Sequence, residues 1–583
     1  MGRACTHTYA RAATSLAFGL AVAGAIAGCS GGEQGETSDS GGSDGSSATS
    51  AATSTGADAT TGDGSGATDM STGSGGATGT TAGPTTAGSS TEDPFKFDVG
   101  DDSDLAGDTD DPPAPSCKVV DDMDAIGSCD AEAPPDSFEP DVQWAWPGAE
   151  GETQVVGTPV VANLTDDNQD GEVDLCDIPD VVVVAYPGPG FLSWVGHLHV
   201  IDGETGATNF SIMDEHVSAL VNPALGDIDG DGIPEIITAQ QDTPMGTTTG
   251  HLIAFEHDGT LKWKGDVDFA IGQNAVALAD LDNDGDVEIM LGGHVADHQG
   301  VTLWSTTQGV NAITTAFAVD LDGDEDLEIV NGSYAFHHDG APYYGPAGQP
   351  GHPQVADLDG DGEPEILVVA QGGMTLIQHD GTVSQQGLVA NLAYWRPAAI
   401  HDMDGDELPE IAVGASNSYS VLEDDFSPKW TTSVLDSSGF AAGTAFDFLG
   451  DGSAEAMYAD ETTLFIYGEN AQVLLMSPRE SWTQAENPVV VDVDNDGSAE
   501  IIVASNIGYS NGVTAPVQAI RDVEDRWIQA RRIWNQHAYH VTNVREDGTI
   551  PQFQPKSWQQ LNTFRTQAQI ASGGGVCMPD PPE

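Results

Sequence analysis

A nine-residue acidic motif recurs down the chain and constrains its fold more than any other feature. It first reads cleanly as Asp227, Asp229, Asp231 and Glu235, in the pattern Asp-x-Asp-x-Asp-Gly-x-x-Glu. It returns as Asp280, Asp282, Asp284 and Glu288, then as Asp320, Asp322, Asp324 and Glu328. Next come Asp357, Asp359, Asp361 and Glu365, then Asp402, Asp404, Asp406 and Glu410. A degraded copy keeps Asp447, Asp451 and Glu455 but places Leu449 at the third position, and Asp492, Asp494, Asp496 and Glu500 restore the pattern. The first residues of these copies lie 53, 40, 37, 45, 45 and 45 positions apart. A repeat of that length is one supersecondary unit that buries its apolar face only against its neighbours.

An eighth copy with an insertion precedes them, from Asn163 to Asp180. Within it Asp166, Asn168, Asp170, Gly171, Asp174 and Asp177 have the register of an EF-hand loop, with Asp instead of Glu at the twelfth position. Short β-branched runs flank the loops. Val160-Val161-Ala162 and Val489-Val490-Val491 come before, and Ile366 to Val369 and Ile501 to Val503 come after. Further runs end in Asp-Gly pairs such as Asp258-Gly259 and Asp380-Gly381, which tolerate the positive φ of a tight hairpin. Four short strands per unit of about 45 residues predict an all-β chain, a β-propeller of four-stranded blades. Eight copies predict eight blades, with seven as the alternative if one repeat lies outside the ring.

This pattern resembles the integrin-α-like propeller repeats known as FG-GAP or VCBS repeats, over roughly residues 150–530. The Phe-Gly…Gly-Ala-Pro peptide that names the family does not occur here. The resemblance rests on the acidic loop and its flanking strands.

The loops have the chemistry of calcium sites. A hard dication takes roughly six or more oxygen ligands, and carboxylates at positions 1, 3 and 5 converge where a glycine lets the backbone turn. The position-9 carboxylate closes the site from the next strand. All-oxygen ligation selects Ca²⁺ over zinc or copper. Without a cation, the four carboxylates of one loop repel one another. One loop per unit points to several structural calcium ions and not to a single active site. Glu325 and Glu407 stand where the turn glycine belongs, and Leu449 removes a ligand. Weaker binding is therefore expected in the fourth, sixth and seventh copies. The loops also explain much of the charge: 31 of the 93 Asp+Glu sit at liganding positions, against 16 Lys+Arg in the whole chain. A formal net charge of −77 excludes nucleic acid as a partner.

The N-terminus reads as an address. Arg3 and Arg11 precede an apolar run, Leu16 to Ala27, that ends Ala27-Gly28-Cys29. It resembles the lipobox of bacterial lipoproteins, which implies lipidation of Cys29. By the same resemblance, Ser30 in place of Asp implies sorting to the outer membrane if the cell is Gram-negative. The expected organisation is a lipoprotein signal at 1–29, a disordered Gly/Ser/Thr/Ala-rich linker at 30–115, and a Cys-containing lead-in at 116–150. The propeller follows at 151–530, and a C-terminal cap and tail at 531–583. The linker holds no aromatic, Lys, Arg, Leu, Ile or Val between residues 30 and 94, so it cannot bury enough surface to order itself. Cys117, Cys129, Cys176 and Cys577 remain in the exported part. They allow three connectivities, of which Cys117–Cys129 is favoured because it closes a short local loop.

No common catalytic constellation is present in the sequence. The C-terminal stretch with His537 and His540 is either a binding or acid/base patch, or a cap whose Trp534 and Trp558 fill the base of the propeller. Trp144, Trp146, Trp194 and Trp395 are candidate ligand contacts, with core packing as the competing role. Polysaccharide lyases on calcium-rich propellers need a base, often Lys or Arg, yet no Lys or Arg occurs from 265 to 395. The sequence therefore leads to a lipid-anchored, calcium-stabilised surface propeller that binds a carbohydrate, matrix or protein ligand. A secreted lyase or hydrolase is the alternative.

Overall fold

The computed structural model describes residues 126–129, 131–188, 195–241, 249–310, 315–370, 372–387, 397–506, 514–570 and 576–579. Cys29, the linker, Cys117, Trp194 and Trp395 lie outside the described residues.

Eight antiparallel sheets form the blades of a β-propeller, and their strand order follows the chain except at the closure. Blade 1 comprises Val160–Ala162, Asp180–Pro187, Val195–Asp202 and Thr208–Ser218, with Glu152–Val155 as an added segment beside the second strand. Blade 2 runs Ala224–Gly226, Glu235–Ala239, Leu252–Phe255, Leu261–Lys264, and blade 3 runs Val276–Ala279, Glu288–Leu291, His294–Ala296, Thr302–Ser305. Blades 4 to 7 repeat this plan, starting at Ala316–Val319, His352–Ala356, Ala399–His401 and Gly443–Phe446. Blade 8 takes Val489–Val491, Glu500–Ala504 and Val517–Asp522, and its fourth strand is Pro140–Trp146 from the other end of the chain. The lead-in thus closes the ring.

The burial pattern explains the strand sequences. The second strands are buried throughout, as in Glu365–Ala370, because both faces of the sheet pack on neighbouring blades. Fourth strands such as Leu261–Lys264 and Thr302–Ser305 face outward and mix half-buried with exposed residues. Their aromatics clamp the next blade. Trp263 Nε1 donates to His298 O at 2.9 Å, and Trp304 Nε1 donates to His338 O at 2.8 Å. The hairpin glycines under these rings have no room for a side chain. A Cβ on Gly300 (φ +77°) would lie 2.5 Å from the Trp263 ring. Trp144 makes the same contact across the closure, donating to Gly203 O at 2.6 Å, and Trp146 is fully buried with Nε1 on Thr208 Oγ1. Both candidate contact residues are therefore core residues.

The C-terminal segment plugs the axis and touches the inner strand or loop of every blade. Trp534 exchanges backbone hydrogen bonds with Val161, Leu225 N donates to Asn535 O, and Leu278 N donates to Gln536 Oε1 at 2.9 Å. Phe564 packs on Phe317 at 5.0 Å between ring centroids, and its carbonyl accepts from Ile400 N. Asn562 Nδ2 donates to Asp357 O at 2.7 Å, Thr444 Oγ1 to Arg565 O at 2.7 Å, and Gln567 Nε2 to Val490 O at 3.0 Å. Arg531 and Arg532, both buried, share the carboxylate of Glu546 at 2.8 and 3.1 Å.

The favoured disulfide is corrected. Cys129 pairs with Cys577, 448 residues away, and not with Cys117. The reason is strand pairing. Ile126–Cys129 lies parallel to Val576–Pro579, which brings the two Cα atoms to 5.3 Å. Cys176 is disulfide-bonded as well.

Candidate metal centres

Each acidic loop joins the inner strand of its blade to the second strand, and the backbone shapes it before any cation is considered. In blade 2, Asp227 Oδ1 accepts from Gly230 N at 2.7 Å and its Oδ2 accepts from Gly232 N at 2.9 Å. This first aspartate therefore curls the turn around itself. The closing glutamate is the first residue of the second strand in seven blades, and one oxygen always accepts from the amide of position 2. These bonds run from Ile228 to Glu235 at 2.9 Å, Leu281 to Glu288 at 2.9 Å, and Leu358 to Glu365 at 2.9 Å. They continue from Met403 to Glu410 at 2.7 Å and Val493 to Glu500 at 2.9 Å. The other oxygen faces the loop.

Metal-ready clusters result. Asp227, Asp229 and Glu235 bring one oxygen each within 4.8 Å of one another, as do Asp280, Asp282 and Glu288, and Asp357, Asp359 and Asp361. Several buried carboxylate oxygens at these places have no hydrogen-bond partner: Asp280 Oδ1, Glu365 Oε1, Asp404 Oδ1 and Glu500 Oε1. An orphaned buried carboxylate oxygen costs free energy unless a cation takes it, so the donor set fits a hard dication. Burial first, and then the neighbouring aspartates, push the closing carboxyls up, to about 8 at Glu288 and about 7 at Glu365. Asp492 is pushed to about 8 for the same reasons. Such groups resist charging until a positive ion arrives.

The copies are not identical. Glu325 and Glu407, at the turn-glycine position, adopt φ of +78° and +73°, the left-handed region that favours glycine. Leu449 is buried at 8% exposure and offers no oxygen. In blade 4, His337 Nδ1 lies 2.9 Å from Glu328 Oε1, so an imidazole joins Asp322 and Glu328 in one cluster. Blade 1 keeps its EF-hand-like turn. Asp166 accepts from Asp170 N and Gly171 N at 3.0 Å, and Asp177 accepts from Asp167 N, Asn168 N and Asp174 N.

One residue of blade 1 escaped the sequence reading. Asp180 opens the second strand as Glu235 does in blade 2, and accepts from Leu164 N at 3.0 Å. Burial raises its carboxyl to about 7. The signal was its place at the head of the apolar run Val181 to Val184, which the EF-hand register obscured.

The histidines of the C-terminal stretch do not form an exposed acid/base pair. His540 is buried, stacks on Phe564 at 5.3 Å, and is pushed down to about 4 by burial. His537 is buried on the axis, held low by burial and then by Arg565. Together with Asn222, Gln273, Thr315, His352 and Gln484 it lines a small pocket at the ends of the inner strands remote from the acidic loops. Among the described residues, no helix is long and apolar enough to cross a membrane.

The model of the FG-GAP-like repeat family matches residues 227–291, which spans the acidic loops of blades 2 and 3. No curated protein matches the chain. Among solved structures, the V. cholerae biofilm matrix protein Bap1 aligns with a TM-score of 0.66 at 18% identity, covering 76% of this chain and 100% of that one. The exotype rhamnogalacturonan lyase YesX aligns at 0.46 and 16% identity, over 65% of this chain and 75% of that one. The strand order and the structural likeness identify this chain as an eight-bladed β-propeller, with a match to the FG-GAP-like repeat family at residues 227–291.

Proposed function

We propose that this chain is an exported protein, anchored to the outer membrane or cell surface by a lipid on Cys29, and that its calcium-stabilised propeller serves as a binding and adhesion module. The proposed ligand is an extracellular carbohydrate, matrix component or protein, and nucleic acid is not among its partners. The observation that carries the reading is how the chemistry-bearing residues are used. The acids are distributed one loop to a blade, and the C-terminal arginines and histidines are buried in the plug. Bap1, a biofilm matrix protein by name, shares the fold; that likeness prompts the adhesion reading.

The test is to screen the purified ectodomain, in calcium, against a glycan array, matrix proteins and soluble polysaccharides, with a reducing-end assay alongside. Saturable stoichiometric binding supports the module. Turnover of a polysaccharide without such binding replaces it with a lyase or hydrolase. Lipid labelling of Cys29→Ala cells tests the anchor, and an unchanged labelled band refutes it.

A further inference from the structure

The fourth strand of every blade contains a one-residue β-bulge, and the extra residue falls at the same register each time. In blade 2, Trp263 pairs with Ala254 and Leu261 with Phe255, which leaves Lys262 out of the ladder. In blade 6, Trp430 pairs with Val421 and Pro428 with Leu422, which leaves out Lys429. The same break ejects Asn209 in blade 1, Leu303 in blade 3, Ser384 in blade 5 and Gln143 in blade 8. A bulge re-aims the side chain it ejects. Where that side chain is polar and long enough, it meets the acidic loop of its own blade. Asn209 Nδ2 donates to Asp180 Oδ1 at 2.8 Å, and Gln143 Nε2 donates to Asp494 Oδ2 at 2.5 Å.

The two lysines go further. Lys262 Nζ lies 2.5 Å from Asp229 Oδ2 and 3.0 Å from Glu235 Oε1, at the third-position and closing ligands of the loop. Lys429 Nζ meets the equivalent Asp404 and lies 3.6 Å from Glu410 Oε1. Each lysine also faces a third carboxylate, Glu256 Oε2 at 3.1 Å and Glu423 Oε1 at 3.8 Å. Glu256 and Glu423 occupy one register, the residue just after the third strand of each blade. An ammonium has three N–H donors and no acceptor, and each site supplies three acids. The lysine stems are largely shielded, at 12% and 20% side-chain exposure.

We infer that Lys262 and Lys429 are tethered cations that occupy the loops of blades 2 and 6 in place of a dication. The bulge residue then sets the cation demand of its blade. Two blades carry a cation of their own within the acidic loop, and calcium fills that place in blades 3 and 5, whose bulge residues Leu303 and Ser384 carry no charge. The inference rests on reading the loops as calcium sites.

The experiment counts bound calcium per chain by equilibrium dialysis and elemental analysis, on folded full-length ectodomain. The proteins compared are wild type, Lys262→Met, Lys429→Met, Lys262→Arg and Ser384→Lys. Each methionine variant should gain one calcium, the arginine variant should match wild type, and Ser384→Lys should lose one. Ser384 is exposed on its strand, so this arm reports even if a methionine variant does not fold. Wild-type calcium binding with unchanged stoichiometry in the methionine and Ser384→Lys variants overturns the inference alone. No calcium bound by any of the proteins overturns the calcium reading and the inference with it.

Discussion

Glu288→Gln should change sign in its effect on stability depending on calcium. Glu288 is 7% exposed, its Oε2 accepts from Leu281 N, and Asp280, Asp282 and Asp284 surround its outer face. Burial, then those acids, raise its carboxyl from 4.5 to about 8. Because the folded value lies above the unfolded one, the protonated carboxyl stabilises the fold fully below about pH 4.5, and that contribution is lost as pH climbs through 8. At about 1.36 kcal/mol per unit, a gap of about 3.5 units makes ionising this group cost the metal-free fold roughly 4 kcal/mol at pH 8. Glutamine is a neutral isostere that still accepts from Leu281. In chelator at pH 8 the variant should therefore gain up to roughly 4 kcal/mol, and at pH 5 no more than about 1 kcal/mol. In saturating calcium it should lose stability, because a charged ligand has gone. Urea midpoints at both pH values, with and without calcium, decide the matter. Blade 3 is the clean place to look, since its bulge residue is Leu303 and, among the described residues, no lysine pairs with the acids of its loop. A variant destabilised equally in chelator and calcium, or a gain independent of pH, would refute the electrostatic account.

Three further outcomes follow from the same structure. Wild-type protein in chelator should melt at higher temperature as pH falls from 8 to 5, since Glu365 and Asp492 are also raised, to about 7 and about 8, and scanning calorimetry at matched ionic strength shows it. Glu546→Gln should cost roughly 3–5 kcal/mol in urea unfolding, because Arg531 and Arg532 are left buried without a counter-charge. Non-reducing peptide mapping should return a Cys129–Cys577 cross-link; a Cys117–Cys129 peptide would contradict the strand pairing that joins the two ends.

What the sequence made legible was local and periodic. Asp227 through Glu235 state a turn and the start of a strand within nine residues, and seven repetitions with one variant state a ring. Residues joined only by the closure of that ring were not legible. Cys129 and Cys577 are ordinary cysteines until Ile126–Cys129 lies beside Val576–Pro579. Pro140–Trp146 looks like a lead-in until Val517–Asp522 offers it an open edge. The C-terminal histidines carried an ambiguous signal. His537 and His540 are types that do chemistry, and burial against Arg565 and Phe564 makes them part of the packing. The lysines of blades 2 and 6 gave no signal in the sequence, because a bulge is a property of the pairing register, which no single strand shows.

The closure of blade 8 also sets an order of events. Pro140–Trp146 emerges from synthesis or export early, yet its partner strand arrives some 370 residues later. Until then the first blade has no neighbouring sheet on one side, and Pro140–Trp146 has no strand to pair with. Ring formation is therefore a high-contact-order step, slow relative to the hairpins inside each blade. The incomplete arc is the aggregation-prone species, because it exposes apolar faces and an unpaired strand edge. A frameshift or proteolytic cut near the C-terminus would do more than shorten the molecule. It would remove the axial plug and the Cys129–Cys577 cross-link together, and with them the contacts that the plug makes to the inner strand or loop of all eight blades.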